Sequence, residues 1–265
     1  MKAAKVGLVV LLVLVMIGNV MSLTLATELT SAGDLDSLIS KYNGTGKEYI
    51  KKVGPGKYVV RIDENSKIRN VILKDISEYL KNKATEDLKN LKKKGIQVPS
   101  PGERNSKTSG SIVSPNSVRG TCILDTSKDI VTCAGWDDQW EYWNGDYVEG
   151  QTYFVAKCDP LYTSCDLEGW SSGTWHGSGN ADELRLITEV TISGFFLTIS
   201  WPPSFTYYSN TGTFEDTFNN VSSAMHSYAN LHAEDWLGIT GMRQRDDANV
   251  RIGNNTIHVI SEVYF

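Results

Sequence analysis

Beyond its first 26 residues the chain has no apolar run long enough to cross a bilayer, which excludes a multi-span helical membrane protein. Paired C-x-x-C spacings are missing, so the four cysteines do not read as a zinc site. EF-hand spacing is missing too. Each half lacks something different. Residues 27–117 contain no Trp and no Cys. Residues 118–265 are poor in cations, with 7 Lys/Arg against 20 Asp/Glu, a net charge of −13. That balance excludes a nucleic-acid partner, because phosphates would be repelled.

What is present is ordinary for a folded chain. The 265 residues are 40% hydrophobic and 22% charged, which rules out wholesale disorder and collagen. Residues 27–117 carry 17 Lys/Arg against 11 Asp/Glu, or +6. A basic front and an acidic rear, with all seven Trp in the rear, predict two units with different tasks.

Residues 1–26 have the order of a secretory signal: Lys2 and Lys5, an apolar stretch from Val6 to Gly18, then small residues ending at Ala26. Ala26 is the expected last residue of the signal. The rival reading is an uncleaved anchor, since Val6–Leu25 is 20 residues long. Both place the remainder in a secreted or extracellular-face location. Export makes the four Cys two disulfides. The spacing favours the local pairs Cys122–Cys133 and Cys158–Cys165. Folding 122–133 at Ser127-Lys128 sets the first two Cys opposite each other. Asn43, Asn220 and Asn254 begin N-x-S/T triplets and are glycosylation candidates.

The front region, residues 27–96, reads as a small basic α+β unit. A short helix is expected near Leu35–Tyr42, and Tyr58–Ile62 reads as a strand. Apolar residues at 72, 76, 79/80, 84, 88 and 91 predict an amphipathic helix, closed by Lys92–Lys94 with Gly95 as its cap. Residues 97–118 are rich in Ser and Pro and read as an exposed linker. Two readings follow. The front region is a propeptide removed by cleavage at Arg104, Lys107 or Arg119, or it is a permanent domain.

Residues 119–265 predict a mainly β, sandwich-like domain with two disulfides. The strongest local signal is Asn144-Gly145 between aromatic arms, a hairpin turn pairing Tyr142 with Tyr147 and Trp140 with Glu149. One face then carries Trp140, Tyr142 and Tyr147; the other carries Trp143 and Val148. Leu184–Ser200 reads as strand broken at Gly194 and ended by Trp201-Pro202-Pro203. A closing hairpin spans Ala248–Ile252 and Thr256–Phe265. Phe214, Phe218, Val221, Met225 and Tyr228 keep helical spacing, so a short helix is expected there.

Several constellations carry potential chemistry. Gly169-Trp-Ser171-Ser-Gly173 matches the nucleophile pattern G-x-S-x-G, but the βαβ context that makes that pattern work is missing. His176, His226, His232 and His258 are too dispersed to single out a base. His226 and His232 are six apart, not the four of a helical metal pair. Adjacent acids at 137–138, 182–183, 215–216, 234–235 and 246–247 offer oxygens for calcium or a carboxylate pair for glycoside hydrolysis, with no cofactor required otherwise. Aromatic density is the most informative feature, because Trp and Tyr present an apolar body with a polar tip to sugars or lipid interfaces. The resulting expectation is an exported, non-enzymatic binding protein. Its contact surface is Trp136, Asp137, Asp138, Trp140, Tyr142, Trp143 and Tyr147, and its partner is a glycan or cell-surface component, with membrane contact a further option. The rivals are a latent toxin or antimicrobial protein freed from its propeptide, and a secreted hydrolase.

Overall fold

The structure, a computed structural model, describes residue 42 and residues 48–63, 66–101 and 117–265. The signal segment with Ala26, most of the helix expected near 35–42, Asn43, Arg104 and Lys107 lie outside the described residues. In chain order the elements are β1 (Glu48–Gly54), β2 (Lys57–Ile62), α1 (Arg69–Lys94), β3 (Ile96–Val98), β4 (Val118–Arg119), β5 (Thr121–Asp125), β6 (Ile130–Trp143), β7 (Asp146–Cys158), β8 (Ser164–Trp175), β9 (Ala181–Ser193), β10 (Thr198–Ser200), β11 (Thr206–Tyr208), β12 (Thr211–Val221), β13 (Ser223–Glu234), β14 (Gly241–Ile252) and β15 (Asn255–Tyr264).

Among the described residues these strands make two sheets. The nine-stranded sheet runs β1-β2-β13-β8-β7-β6-β5-β3, with β10 added on β13; the six-stranded sheet runs β11-β12-β9-β14-β15-β4. The two face each other as a β-sandwich, and every pairing is antiparallel except β15 with β4. Strand alternation explains the composition of each layer. On β7, Phe154 and Ala156 point between the sheets, while Tyr153 and Val155 point to the outer face. The space between the sheets holds two apolar clusters. Phe154, Leu167, Val190 and Phe265 belong to one, and Val148, Trp175, Leu184 and Val259 to the other.

The outer face of the larger sheet is covered by α1. Its buried stripe is Ile72, Leu73, Ile76, Leu80 and Ala84, the expected period, packed over Tyr153, Val155, Trp170 and Met225. Each buried Ile or Leu contributes about 1.5–3 kcal/mol on the usual area scale. Arg69 opens the helix and is itself buried; its guanidinium donates to the carbonyls of Gly177 and Ile62 and to Ser222 Oγ. Lys92–Lys94 end the helix as expected, but Gly95 is no left-handed cap, since its φ is −163°. Glycine is needed there for close approach: a Cβ would lie 2.1 Å from the Leu124 carbonyl oxygen.

The front region and the acidic region therefore share one sheet. β2 pairs with Ser223–Met225 of β13, and β3 pairs with β5. Lys57 forms an ion pair with Asp216, and Lys81 lies over the Trp136 ring.

Both disulfides are the local pairs expected. Cys122 stands opposite Cys133 and Cys158 opposite Cys165, each pair closing antiparallel neighbours with Cα atoms 3.9 and 4.1 Å apart. Cross-links of this kind fit a chain that folds outside a reducing cytosol. No helix among the described residues is long and apolar enough to cross a membrane.

The short helix expected across Phe214–Tyr228 is not formed. Those residues lie on β12 and β13, which meet at a corner at Ser222. A spacing of four suits a strand as well as a helix, so Phe214 and Phe218 both point inward. Asn220, with φ 53°, bends the strand end, and Met225 turns to the outer face beneath α1 while Tyr228 points inward. Pairing with β9 along most of β12 outweighs the local helical spacing.

Register defines two ends of the sandwich. At one end lie the β6–β7 turn, the segment 176–180 and the turn at Gly253-Asn254. At the other lie the segments 159–163, 194–197 and 235–240, beside the Cys158–Cys165 disulfide.

Candidate ligand-binding site

The β6–β7 hairpin is built as the sequence implies. Asn144 and Gly145 have φ of 50° and 89°, and the register pairs Tyr142 with Tyr147 and Trp140 with Glu149. Alternation then divides the seven expected contact residues. Trp136, Asp138, Trp140, Tyr142 and Tyr147 stand on the outer face of the larger sheet, beside α1. Asp137 and Trp143 turn to the inner side. Asp137 is buried, accepting hydrogen bonds from the Glu262 amide and from Gln139, and Trp143 packs against Trp175 at 6.4 Å. Trp136 is half-buried under Lys81.

The outer-face group forms a compact site. Trp140 and Tyr142 are 53% and 66% exposed. Tyr147 lies 5.6 Å from the Tyr142 ring and stacks on the His176 imidazole at 4.2 Å. His176 Nε2 is 2.7 Å from Glu149 Oε2. The other Glu149 oxygen accepts hydrogen bonds from Ser77 Oγ of α1 and, at 3.2 Å, from Gln151 Nε2. Asp138 stands diagonally across the ladder from Glu149, on the same face.

These contacts split the two carboxyls. Burial, and then the charge of Glu149, push Asp138 up to about 7. Burial also works to raise Glu149, but hydrogen bonds from His176 and Ser77 and the His176 charge overcome it and hold Glu149 below its ordinary value. Between the ordinary carboxylate range and about pH 7 the pair therefore holds one proton, mainly on Asp138, and one fixed negative charge, on Glu149. Burial first, then Glu149, raises the Tyr147 phenol, which stays a neutral donor. Glu149 is itself buried, with both oxygens engaged, so the site offers a ligand the aromatic faces and phenols at its rim above a fixed negative charge. Sequence reasoning missed Glu149 as a site residue, as well as His176 and Ser77. Glu149 was legible as the hairpin partner of Trp140; Ser77 was not, because only packing of α1 brings it there.

A second polar cluster is sealed between the sheets. His226 Nδ1 bonds Asp216, and its Nε2 meets Thr188 Oγ1 at 2.9 Å. Thr188 and Gln244 donate to the two oxygens of Asp246, and Tyr228 OH donates to Gln244. His226, Thr188, Gln244 and Asp246 are buried, so this belt fastens the sheets between the two apolar clusters. Ser171 lies beside it without joining it, its Oγ making no hydrogen bond among the described residues. It lies in mid-strand on β8, fully buried, opposite His226 in register, while both His226 nitrogens are occupied by other partners. The G-x-S-x-G pattern here is a strand interior, without the exposed elbow that activates a nucleophile.

The adjacent acids do not converge, because neighbours on a strand face opposite ways. Glu215 pairs with Arg185 while Asp216 joins the interior belt; Asp246 is buried while Asp247 faces His258. His232, on the outer side, spends its two ring nitrogens on Asp166 and Glu234. Arg119 is exposed on β4 and lies over Tyr264. Asn220 and Asn254 are exposed.

No family model matches the chain, and no curated protein matches it. Among the solved structures that match, one is only weakly similar. It is described as the complete structure of manganese lipoxygenase of Gaeumannomyces graminis and partial structure of zonadhesin of Komagataella pastoris. The TM-score is 0.24 and the identity 8%, over 60% of this chain and 76% of that one. A likeness of that degree carries no argument about fold or function.

Proposed function

We propose that this is an exported carbohydrate-binding protein, and that it holds neutral glycans on the outer face of the β6–β7 hairpin. The observation that carries the reading is the joint placement of exposed Trp140 and Tyr142 beside a Glu149 carboxylate already oriented by His176 and Ser77. Aromatic faces stack on the apolar face of a sugar ring, and the Tyr142 and Tyr147 phenols exchange hydrogen bonds with its hydroxyls. Neutral sugars are favoured because Glu149 and the net −13 of residues 118–265 repel uronates and sulfates. The two disulfides support export.

Binding is favoured over hydrolysis by the same geometry. Glu149 is buried and both its oxygens are held by His176, Ser77 and Gln151, whereas glycosidase carboxyls must flank and reach the bond they cleave.

The test is binding to immobilised cello-, laminari- and chito-oligosaccharides by the full chain and by W140A/Y142A. Trp143 is left intact because it packs against Trp175. The expected result is capture of at least one of these glycans by the native chain, and affinity about tenfold or more weaker in the variant at unchanged Tm. No capture by the native chain, or equal binding by the variant, overturns the proposal.

A further inference from the structure

The opposite end of the sandwich carries a second, separate feature. Five large apolar side chains project there from three segments: Leu161, Phe195, Phe196, Trp236 and Leu237. Leu161, Phe195 and Trp236 are 71%, 75% and 70% exposed. The segments are knitted together. Phe196 and Trp236 rings lie 5.0 Å apart, the Asp235 amide donates to the Thr163 carbonyl, and the Ile239 amide donates to the Tyr162 carbonyl. Such a cluster on a folded surface marks a contact site rather than core.

From this end we infer a second activity: these loop tips insert into the interfacial region of an uncharged, zwitterionic lipid bilayer. Three observations select lipid over a protein partner. The first is internal bonding of the loop backbone. Asp235 accepts from the amides of Phe195, Phe196 and Leu237 at 2.6, 2.9 and 2.9 Å, and Asp159 accepts from those of Leu161 and Thr163 at 2.8 and 3.0 Å. Backbone groups bonded inside the protein can leave water for hydrocarbon at little cost, whereas free ones cannot.

The second observation is charge. Segments 159–163, 194–197 and 235–240 contain no Lys or Arg, and their only charged residues are Asp159 and Asp235, both turned to the loop amides. The five apolar tips themselves thus carry no charge, matched to an uncharged membrane. Anionic lipid is disfavoured by the −13 of residues 118–265. The third is stiffness. The Cys158–Cys165 disulfide closes the base of the first segment, and Asp235 is buried beneath the other two. Stiff aromatic and aliphatic tips need little ordering before insertion, and Trp and Phe suit the headgroup boundary.

The experiment uses the full chain with vesicles of pure phosphatidylcholine, free of any glycan, so that its outcome is independent of the carbohydrate proposal. Flotation of the native chain is compared with F195E/W236E and with W140A/Y142A. Tryptophan emission is recorded with lipids brominated near the headgroup. Expected are flotation and quenched, blue-shifted emission for the native chain and for W140A/Y142A. F195E/W236E should lose about tenfold or more in partitioning while keeping its Tm. Failure of the native chain to float, or equal flotation of F195E/W236E, overturns the inference. So does a native dimer in sedimentation that F195E/W236E abolishes, because the patch would then belong to a second copy of the chain.

Discussion

Asp246 shows how one residue's surroundings set its chemistry. It lies between the sheets and accepts from Thr188 and Gln244, but burial dominates and pushes its carboxyl up to about 7. A group whose folded pKa lies above its unfolded value keeps its proton in the native state after the unfolded chain has lost it. Stability from this group therefore falls as pH rises from about 4 to about 7, and is level above that. His226 acts in the opposite sense. Burial depresses it, and it costs stability as pH falls below 6.5. The difference in stability between native chain and D246N isolates the first effect. It is expected to slope between pH 4 and 7 and flatten above, read from thermal melts across that range. A pH-independent difference would show that Asp246 stays ionised in the fold. At this scale the sequence was least informative: Asp246-Asp247 and Asp137-Asp138 look alike as dipeptides, and only register decides which member is buried.

At the scale of elements the chain was far more legible. The β6–β7 hairpin, the β5–β6 hairpin with its disulfide, the helix over 69–94 and the closing hairpin all follow from period, turn chemistry and cysteine spacing. Gly145 carries much of that information. Its φ is 89°, and a Cβ there would meet no atom within 4 Å, so G145A is a test of backbone strain alone. The expected loss is about 1 kcal/mol in urea unfolding, with the outer-face site shifted because the same turn sets Tyr142 against Tyr147. An unchanged midpoint would mean that pairing along β6 and β7, rather than the turn, fixes this register. The Phe214–Tyr228 stretch shows the limit of local reading. Its apolar residues step by four and three, a helical pattern of which only the steps of four suit a strand, and pairing of β12 with β9 overrides it.

On the scale of the whole molecule, charge asymmetry becomes an internal interface. The basic front lies across the acidic region through β2 on β13, β3 on β5 and the apolar face of α1, with Lys57 on Asp216. Proteolysis within 102–116 is therefore expected to leave a non-covalent complex that co-elutes on size exclusion, even in 1 M salt. Only denaturant should part the pieces and expose Tyr153, Val155 and Trp170 to a hydrophobic dye. Spontaneous separation after nicking would show instead that the front is held by its covalent link alone, as a readily shed propeptide requires. The β6–β7 site depends on this interface too, because Ser77 and Lys81 come from α1.

What the amino-acid sequence determined by itself is local: the strands of the hairpin at Asn144-Gly145 and of the closing hairpin, the helix ending in Lys92–Lys94, which cysteines pair, and which hairpin face carries Trp140, Tyr142 and Tyr147. Those properties depend on side-chain period and turn geometry over fewer than about fifteen residues. Tertiary structure alone decided the rest. It brought His176 and Ser77 onto Glu149 and buried Asp137 and Asp246. It placed Ser171 in a sheet interior and gathered Leu161, Phe195 and Trp236 at one end. The physical reason is that desolvation and charge pairing depend on neighbours distant in the chain. A residue's type states what chemistry is available; burial and partners decide which of it is used.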